Sequence, residues 1–262
     1  VDVRVAGVLF EPDALCRALG IVPGAPDAFI VAAAYERWGL DLFAHLRGAF
    51  ALVMCDRGRG RTVVARDHMG LQPVFYTVHG ATIDVAASAR DLSRLPGVSR
   101  RLNRVALADA VCRRHPDPEE TFFDAVRRLP AGSLLEIGAG TWTIRRYWDP
   151  LAPAPASVTS EADAFERFET LQRQAVRRCS SVGPSAVFLS GGLDSVSIAA
   201  VAADLTAGSD RAGVIALSLT FPGAACDEHD RQAAVASALA LPQISLSFDE
   251  AVGAESLLAQ GL

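Results

Sequence analysis

The stretch Val187-Phe188-Leu189-Ser190-Gly191-Gly192-Leu193-Asp194-Ser195 constrains this chain more than any other. Residues 185–189 read as a short buried strand. Residues 196–205 are alanine-rich, carry apolar side chains at helical spacing and read as a helix. The turn between them therefore joins the carboxyl end of a strand to the amino end of a helix. Unpaired backbone N–H groups and the positive end of the helix dipole converge there, a setting suited to a phosphate. Gly191 and Gly192 allow close backbone approach to an anion, Ser190 and Ser195 add hydroxyl donors, and Asp194 adds a carboxylate able to hold a magnesium ion. The pattern is not a Walker loop, because no Gly-Lys-Ser/Thr follows. It is not a nucleophile elbow, because Phe188 stands where that motif needs glycine.

The surrounding residues predict βαβ units. An amphipathic helix with Phe165, Phe168, Leu171, Ala175, Val176 and Cys179 on one stripe precedes the strand and turn. Strand 213–221, helix 227–240 and strand 243–248 follow. This alternation calls for a parallel sheet with right-handed crossovers and a ligand at the carboxyl edge of the strands. Only about three strands can be placed, against the ~5 usual in a sheet, so this α/β domain reads as truncated.

The preceding residues have a different texture. Strands are expected over 1–10, 49–55 and 62–65, and hairpins over 74–86 and 133–146. Helices are expected over 13–19, over 27–38 with Asp27 as its cap, and near 42–46, 89–95, 104–113 and 121–127. Residues 151–160, rich in Pro, Ala and Ser and without periodicity, read as a linker. The predicted organisation is an α+β domain of antiparallel sheets over 1–150, that linker, and the α/β domain over 161–262. Strand 1–10 reads as entered midway, and Val1 is no natural initiator, so residues upstream are expected.

At 50% hydrophobic residues the 262-residue chain can bury substantial cores. A formal charge of -5 gives no electrostatic basis for a nucleic-acid partner. No apolar run of about 18 residues is present, so no membrane span is expected. Without a signal-peptide layout the expected location is cytoplasmic. The five cysteines are scattered and read as buried free thiols, and the histidines lack ligand spacing for zinc.

The Ser190–Ser195 segment, SGGLDS, resembles the pyrophosphate-binding loop of the N-type ATP pyrophosphatases, the group of asparagine, NAD and GMP synthetases. Its flanks narrow the resemblance. Leu46-Arg47-Gly48-Ala49-Phe50-Ala51, Ala65-Arg66-Asp67-His68-Met69-Gly70-Leu71-Gln72-Pro73-Val74-Phe75-Tyr76 and Ala86-Ala87-Ser88 are similar, in order and spacing, to the glutaminase-type domain of asparagine synthetase relatives. Leu129-Pro130-Ala131-Gly132 and Tyr147-Trp148-Asp149-Pro150 are similar to the segment joining the two domains in that family.

What the resemblance implies is specific. ATP and Mg²⁺ are the expected cofactors. Leu189, Ser190, Gly191, Gly192, Leu193, Asp194 and Ser195, with Leu217 and Leu219 at the adenine pocket, are the expected nucleotide site, and Asp194 is the expected magnesium ligand. Late catalytic residues are expected beyond Leu262. Asp227-Glu228 fits an acidic pair of the family or, equally, a helix cap. Arg66-Asp67 reads alternatively as an ordinary surface ion pair. Asp27 matches the aspartate that holds glutamine's amine, but Gly7-Val8-Leu9-Phe10-Glu11 lacks the amide of the family's Gly-Glu-Ile-Tyr-Asn segment. A glutaminase domain without activity is therefore expected.

Such a domain before a synthetase domain looks like the β-lactam synthetases and the lasso-peptide macrolactam cyclases. The implied activity is adenylation of a carboxylate with release of pyrophosphate, then amide formation with an amine of a small-molecule or peptide substrate, alongside partner proteins of a biosynthetic pathway. A ring-closing macrolactam cyclase is the first expectation, and a β-lactam or asparagine synthetase the second. The rival of another class is a non-catalytic member that binds nucleotide or a partner protein.

Overall fold

A computed structural model describes residues 1–114, 117–152, 160–207 and 213–252. The chain divides into two compact units, Val1–Pro153 and Ala154–Leu262. Most of the expected linker lies outside the described residues.

Unit 1 runs β1 (Asp2–Leu9), α1 (Pro12–Leu19), α2 (Asp27–Trp38), α3 (Leu42–His45), β2 (Gly48–Asp56), β3 (Arg61–Arg66), β4 (Phe75–His79), β5 (Thr82–Ala86), α4 (Ala89–Ser93), α5 (Arg104–Val111), β6 (Arg127–Arg128), β7 (Ser133–Gly138) and β8 (Thr141–Arg146). Five strands form an antiparallel sheet in the order β1-β2-β3-β7-β8, and β5-β4-β6 form a second. Alternation along β2 explains the layering. Phe50, Leu52 and Met54 are buried and join Val31, Ala34 and Tyr35 of α2 and Phe43 of α3 in one core. Ala51 and Val53 point to the other face and pack with Val64, Val74, Tyr76, Leu129 and Leu135 against the second sheet.

Gly7 makes the edge pairing possible. It sits at φ +98°, and a Cβ there would lie 2.1 Å from the Ala49 carbonyl oxygen across the strand pair.

The segment Arg66-Asp67 is no surface ion pair. Asp67 is fully buried, and its carboxylate accepts from the backbone N–H groups of Met69 (3.1 Å), Leu71 (3.0 Å) and Gln72 (2.8 Å). Arg66 donates to the carbonyls of Gln72 (2.7 Å), Gly70 and Leu129 (2.8 Å), and burial pulls its pKa down. Tyr147 closes the unit by donating its hydroxyl to the Arg66 carbonyl at 2.6 Å.

The expected helix over 121–127 is absent. The Thr121 hydroxyl bonds the carbonyls of Val126 and Phe123 and the N–H of Phe123, and Thr77 Oγ1 takes the Ala125 carbonyl. These bonds draw the backbone groups out of a helical ladder, and Arg127–Arg128 pair with β4 instead. Asp27 does not cap α2 either. Pro26 holds the cap position without a side-chain cap bond, and Asp27 is the first helical residue. Cysteine burial is also less than expected: Cys16 is buried, Cys55 half-buried, and Cys112, Cys179 and Cys226 are exposed free thiols.

A polar cluster at one end of the sheet carries a pH dependence. Asp56 accepts from the Arg59 guanidinium at 2.7 Å, the Arg59 N–H at 3.1 Å and the Tyr35 hydroxyl at 3.0 Å. The Arg59 hydrogen bond is the largest cause that lowers its pKa from 3.8 to about 2. A carboxylate with a depressed folded-state pKa stabilises above the unfolded value and loses that contribution as pH falls through the folded value. The stability gap between the natural chain and Asp56→Asn should therefore be full at neutral pH, shrink below pH 3.8 and close near pH 2. Thermal unfolding across that range checks it, and a pH-independent gap would refute the assignment.

Unit 2 contains α6 (Glu161–Ser180), β9 (Ala186–Phe188), α7 (Leu193–Thr206), β10 (Ile215–Thr220), α8 (His229–Ala238), β11 (Gln243–Ser247) and α9 (Phe248–Ala251). The strands form a parallel sheet in the order β11-β10-β9. Both crossover helices share a core with one face of it: Leu189 and Ala216 pack with Ala199 of α7 and Ala236 of α8.

The other face differs from expectation. Strand β9 is shorter than predicted, and Phe188, paired with Leu217, is 82% exposed. Leu219, Ile244 and Leu246 share that face and are exposed too. Strand alternation divides the apolar run between a packed and an open side. The stripe of α6 is likewise only partly used: Val176 packs with Ala202 and Val214, while Phe165, Phe168, Leu171 and Cys179 are exposed.

Candidate functional site

The Ser190–Ser195 turn leaves the carboxyl end of β9 and opens α7. Leu189 anchors it: the side chain is buried, its N–H donates to the Leu217 carbonyl (2.8 Å), and its carbonyl accepts from Ser218 Oγ (3.1 Å). Gly191 takes φ +77°, and Gly192 is the helix cap with no side-chain cap bond. The first-turn N–H groups of α7 are thus not covered by a capping side chain.

Ser190 and Ser195 are brought together, their hydroxyls 3.0 Å apart. Ser195 Oγ also accepts from the Ser190 N–H (3.2 Å) and donates to the Gly192 carbonyl (3.0 Å). Asp194 lies in the first turn of α7, exposed, beside the positive end of the helix dipole. Leu193 is 89% exposed and takes no part in the core.

Beside the turn lies a cavity of about 180 Å³ walled by Leu189, Ser190, Leu217, Leu219, Glu228 and Gln232 among others. The structure therefore gathers Leu189, Leu217 and Leu219 where the turn begins. A larger cavity of about 380 Å³ opens at the opposite end of the strands, around Arg177, Ser185 and Thr206. Parallel α/β sheets commonly bind ligands at the carboxyl edge, which makes the smaller cavity the candidate site.

The acidic pair resolves into two roles. Asp227 accepts from the N–H groups of Phe221 (3.0 Å) and His229 (3.3 Å), tying β10 to the start of α8. Glu228 pairs with Arg231 at 3.2 Å.

Two neighbours of the turn carry no sequence signal. The aliphatic stem of Arg231 crosses the turn, so that a Cβ on Gly191 would sit 3.0 Å from Arg231 Cδ. Gln232 is 3% exposed. Only the packing of α8 against β10 brings them there. At Gly191 a side chain would meet both the positive φ and the Arg231 stem, so Gly191→Ala should weaken pyrophosphate or nucleotide binding about tenfold, for a strain of ~1–2 kcal/mol. Calorimetric titration checks it, and unchanged affinity would show that the turn does not hold the ligand.

In unit 1, Asp27 accepts the Leu9 N–H at 3.4 Å, which sets the expected glutamine-binding aspartate beside the end of β1. Among the described residues no cluster of three His, Cys, Asp or Glu side chains forms a metal centre, and no helix is long and apolar enough to cross a membrane.

Residues 21–148 match the glutamine amidotransferase domain family, and residues 167–259 match the asparagine synthase family. The two matches together are in line with the asparagine synthetase-related family.

It is 33% identical over 186 residues to amidase chyE of Penicillium rubens, covering 70% of this chain and 27% of that protein. It is 29% identical over 180 residues to an asparagine synthetase [glutamine-hydrolyzing] of Bacillus subtilis, covering 68% and 29%. It is 30% identical over 204 residues to the carboxyethyl-arginine beta-lactam-synthase of Streptomyces clavuligerus, covering 76% and 36%. The chain thus spans well under half the length of these relatives.

Proposed function

We propose that residues 161–262 supply the ATP-pyrophosphate side of an ATP-dependent amide-forming synthetase. The observation that carries this reading is the turn itself: paired Ser190 and Ser195 hydroxyls and an α7 start without a capping side chain, at the carboxyl edge of a parallel sheet. In the proposed reaction a substrate carboxylate oxygen attacks the α-phosphorus of ATP, and the bond to the bridging oxygen breaks to release pyrophosphate. An amine nitrogen then attacks the acyl carbon, the carbon–oxygen bond to AMP breaks, and the nitrogen loses a proton.

In this reading the Ser190 and Ser195 hydroxyls and the first-turn N–H groups of α7 bind the departing pyrophosphate and hold the charge that develops on it. Asp194 suits magnesium, which commonly binds through one carboxylate plus substrate phosphates, and the ion would neutralise phosphate charge. Leu189, Leu217 and Leu219 offer apolar walls to the base.

The finer reading is ring closure, with carboxylate and amine on one substrate, as a macrolactam. A beta-lactam-synthase among the relatives and the missing amide in Gly7–Glu11 support it. Unit 1 is then a scaffold that releases no ammonia. Incubated with glutamine, the full-length protein should yield no glutamate above background, and measurable release would refute the scaffold role.

The reading as a whole is tested by ATP–pyrophosphate exchange with the full-length protein and a panel of amino-acid and peptide carboxylates. Exchange that depends on a carboxylate supports it. Nucleotide binding without exchange on any member of the panel favours a non-catalytic nucleotide-binding protein.

A further inference from the structure

The segment from α4 to the end of α5 is basic in an acidic chain. Residues 89–114 hold seven arginines against two aspartates, in a chain whose formal charge is -5. Arg101 pairs with Asp124 at 3.0 Å, whereas Arg100, Arg104, Arg113 and Arg114 are exposed and have no carboxylate partner among the described residues. Asn103 caps α5 by accepting from the N–H groups of Val105 and Ala106, both at 3.1 Å, and its own N–H donates to the Phe122 carbonyl at 2.9 Å. Leu102 and Phe122 thus adjoin the start of the helix. Ala106 is the buried residue of α5, and the opposite side carries Arg104, Val105, Ala108, Val111 and Cys112 at helical spacing, all exposed. Val111 is 83% exposed and Val105 64%, and Leu102 and Phe122 are exposed too. An apolar strip is therefore rimmed at both ends by unpaired guanidinium groups.

Two of these arginines work against the helix they flank. Arg104 is the first residue of α5, where the positive end of the dipole favours an acid, and the first turn has none. At the other end the Arg114 N–H donates to the Asp109 carbonyl (2.8 Å) and the Arg113 N–H to the Ala110 carbonyl (3.2 Å), a closing turn that holds Arg113 at φ +53°. Glycine fits that left-handed position without strain, and arginine does not. Arg114 already supplies the positive charge that suits this end of the dipole. Helix stability thus explains neither Arg104 nor Arg113.

We infer that the exposed side of α5, with Leu102 and Phe122, is a docking surface for an acidic amphipathic segment of a partner protein. Apolar side chains of that segment cover Val105 and Val111, while its carboxylates meet Arg100, Arg104, Arg113 and Arg114. Charge complementarity and the apolar strip together select this occupant. The eight residues of α5 span about 12 Å, so a helical partner of roughly two turns reaches both rims. Nucleic acid would meet the arginines but leave the apolar strip uncovered. An anionic bilayer would face the net negative charge of the chain as well. Nothing in this surface depends on what the Ser190–Ser195 turn binds.

The experiment titrates the full-length protein, by fluorescence anisotropy, into a labelled helical peptide of about 16 residues with leucine along one face and glutamate along the other. The comparison probes are the same peptide with every glutamate changed to glutamine, the same peptide with every leucine changed to serine, a single DNA strand of similar length, and vesicles containing phosphatidylserine. The glutamate–leucine peptide should bind at least about tenfold more tightly than either altered peptide. Its affinity should fall steeply as salt rises from about 0.1 M to 1 M, where screening shortens from about 10 Å to 3 Å. Arg104→Glu and Arg113→Gly combined should weaken it at least about tenfold, while Tm falls by no more than about 1 °C, because both changes suit the helix. A merely structural role would move Tm and affinity together. Val111→Asp, at an open surface position, should weaken the peptide as much and serves if the double variant does not fold. Unchanged affinity in these variants overturns the assignment of this surface. Equal binding of the serine peptide reduces it to a bare charge patch and overturns the apolar dock. Tighter binding of the DNA strand or the vesicles overturns the choice of partner, and no binding of the glutamate–leucine peptide overturns the docking surface altogether.

Discussion

Asp194→Ala is expected to reduce ATP–pyrophosphate exchange by the full-length protein at least about a hundredfold, the scale seen when a charge-stabilising group is removed from a reaction centre. The residue is exposed in the first turn of α7, so its loss leaves no cavity. A carboxylate near a helix amino terminus contributes only about 0.3–1 kcal/mol of stability, so the folded protein should survive. The proposed function gives it the magnesium ion, and the magnesium dependence of nucleotide affinity is a second readout. In the natural protein magnesium should tighten nucleotide binding, and in Asp194→Ala that gain should largely vanish. Unchanged exchange, or an undiminished magnesium effect, would remove Asp194 from the site.

Asp67→Ala should be the most damaging substitution in unit 1, at about 3–5 kcal/mol. The carboxylate is fully buried and accepts three backbone N–H groups within Met69–Gln72, and the Gly132 N–H donates to its carbonyl at 2.9 Å. Alanine would keep the main-chain bond from Gly132 but leave the N–H groups of Met69, Leu71 and Gln72 unpaired and let the loop between β3 and β4 lose its shape. Arg66, which grips Gly70, Gln72 and Leu129 from the other side, would lose the geometry it depends on. At about 2–4 °C per kcal/mol, a drop of roughly 10 °C in Tm should be visible in a thermal melt. A shift of only about 1 °C would mean that the loop finds its shape without Asp67.

Local patterning made much of this architecture legible. The apolar run of β2 and the alanine-rich face of α7 announced their elements, and the SGGLDS turn announced the strand-to-helix junction because glycine and serine there have few other uses. The errors arose where a distant partner decided the outcome. Residues 121–127 have adequate helical composition, but Thr121 and Thr77 take the carbonyls a helix would need. Asp27 looked like a cap because it opens an apolar stripe, yet Pro26 takes that position and the carboxylate turns to Leu9. Arg66-Asp67 left a surface ion pair open as an alternative to the family motif, because adjacent opposite charges are usually exposed. Their burial follows from the β4 connection folding over them, which no local window contains. Arg231 and Gln232 were invisible for the same reason: a helix residue declares its face, but not which loop that face will meet.

The two sheets also imply different folding histories. In the first, β3 must find β7, and the bond from Arg61 to Glu136 joins residues 75 positions apart. In the second, the bond from Ser218 to Leu189 spans 29 positions, and each strand pairs with the next one made. Rates fall as contacts become more remote in sequence, and the entropy of closing a loop is lost before the contacts repay it. The parallel sheet can zip outward from its Ser190–Ser195 turn, while the antiparallel unit waits for its central seam. Of the two units the one made earlier is thus the slower to mature, and its unpaired β3 edge is open to other chains until β7 arrives.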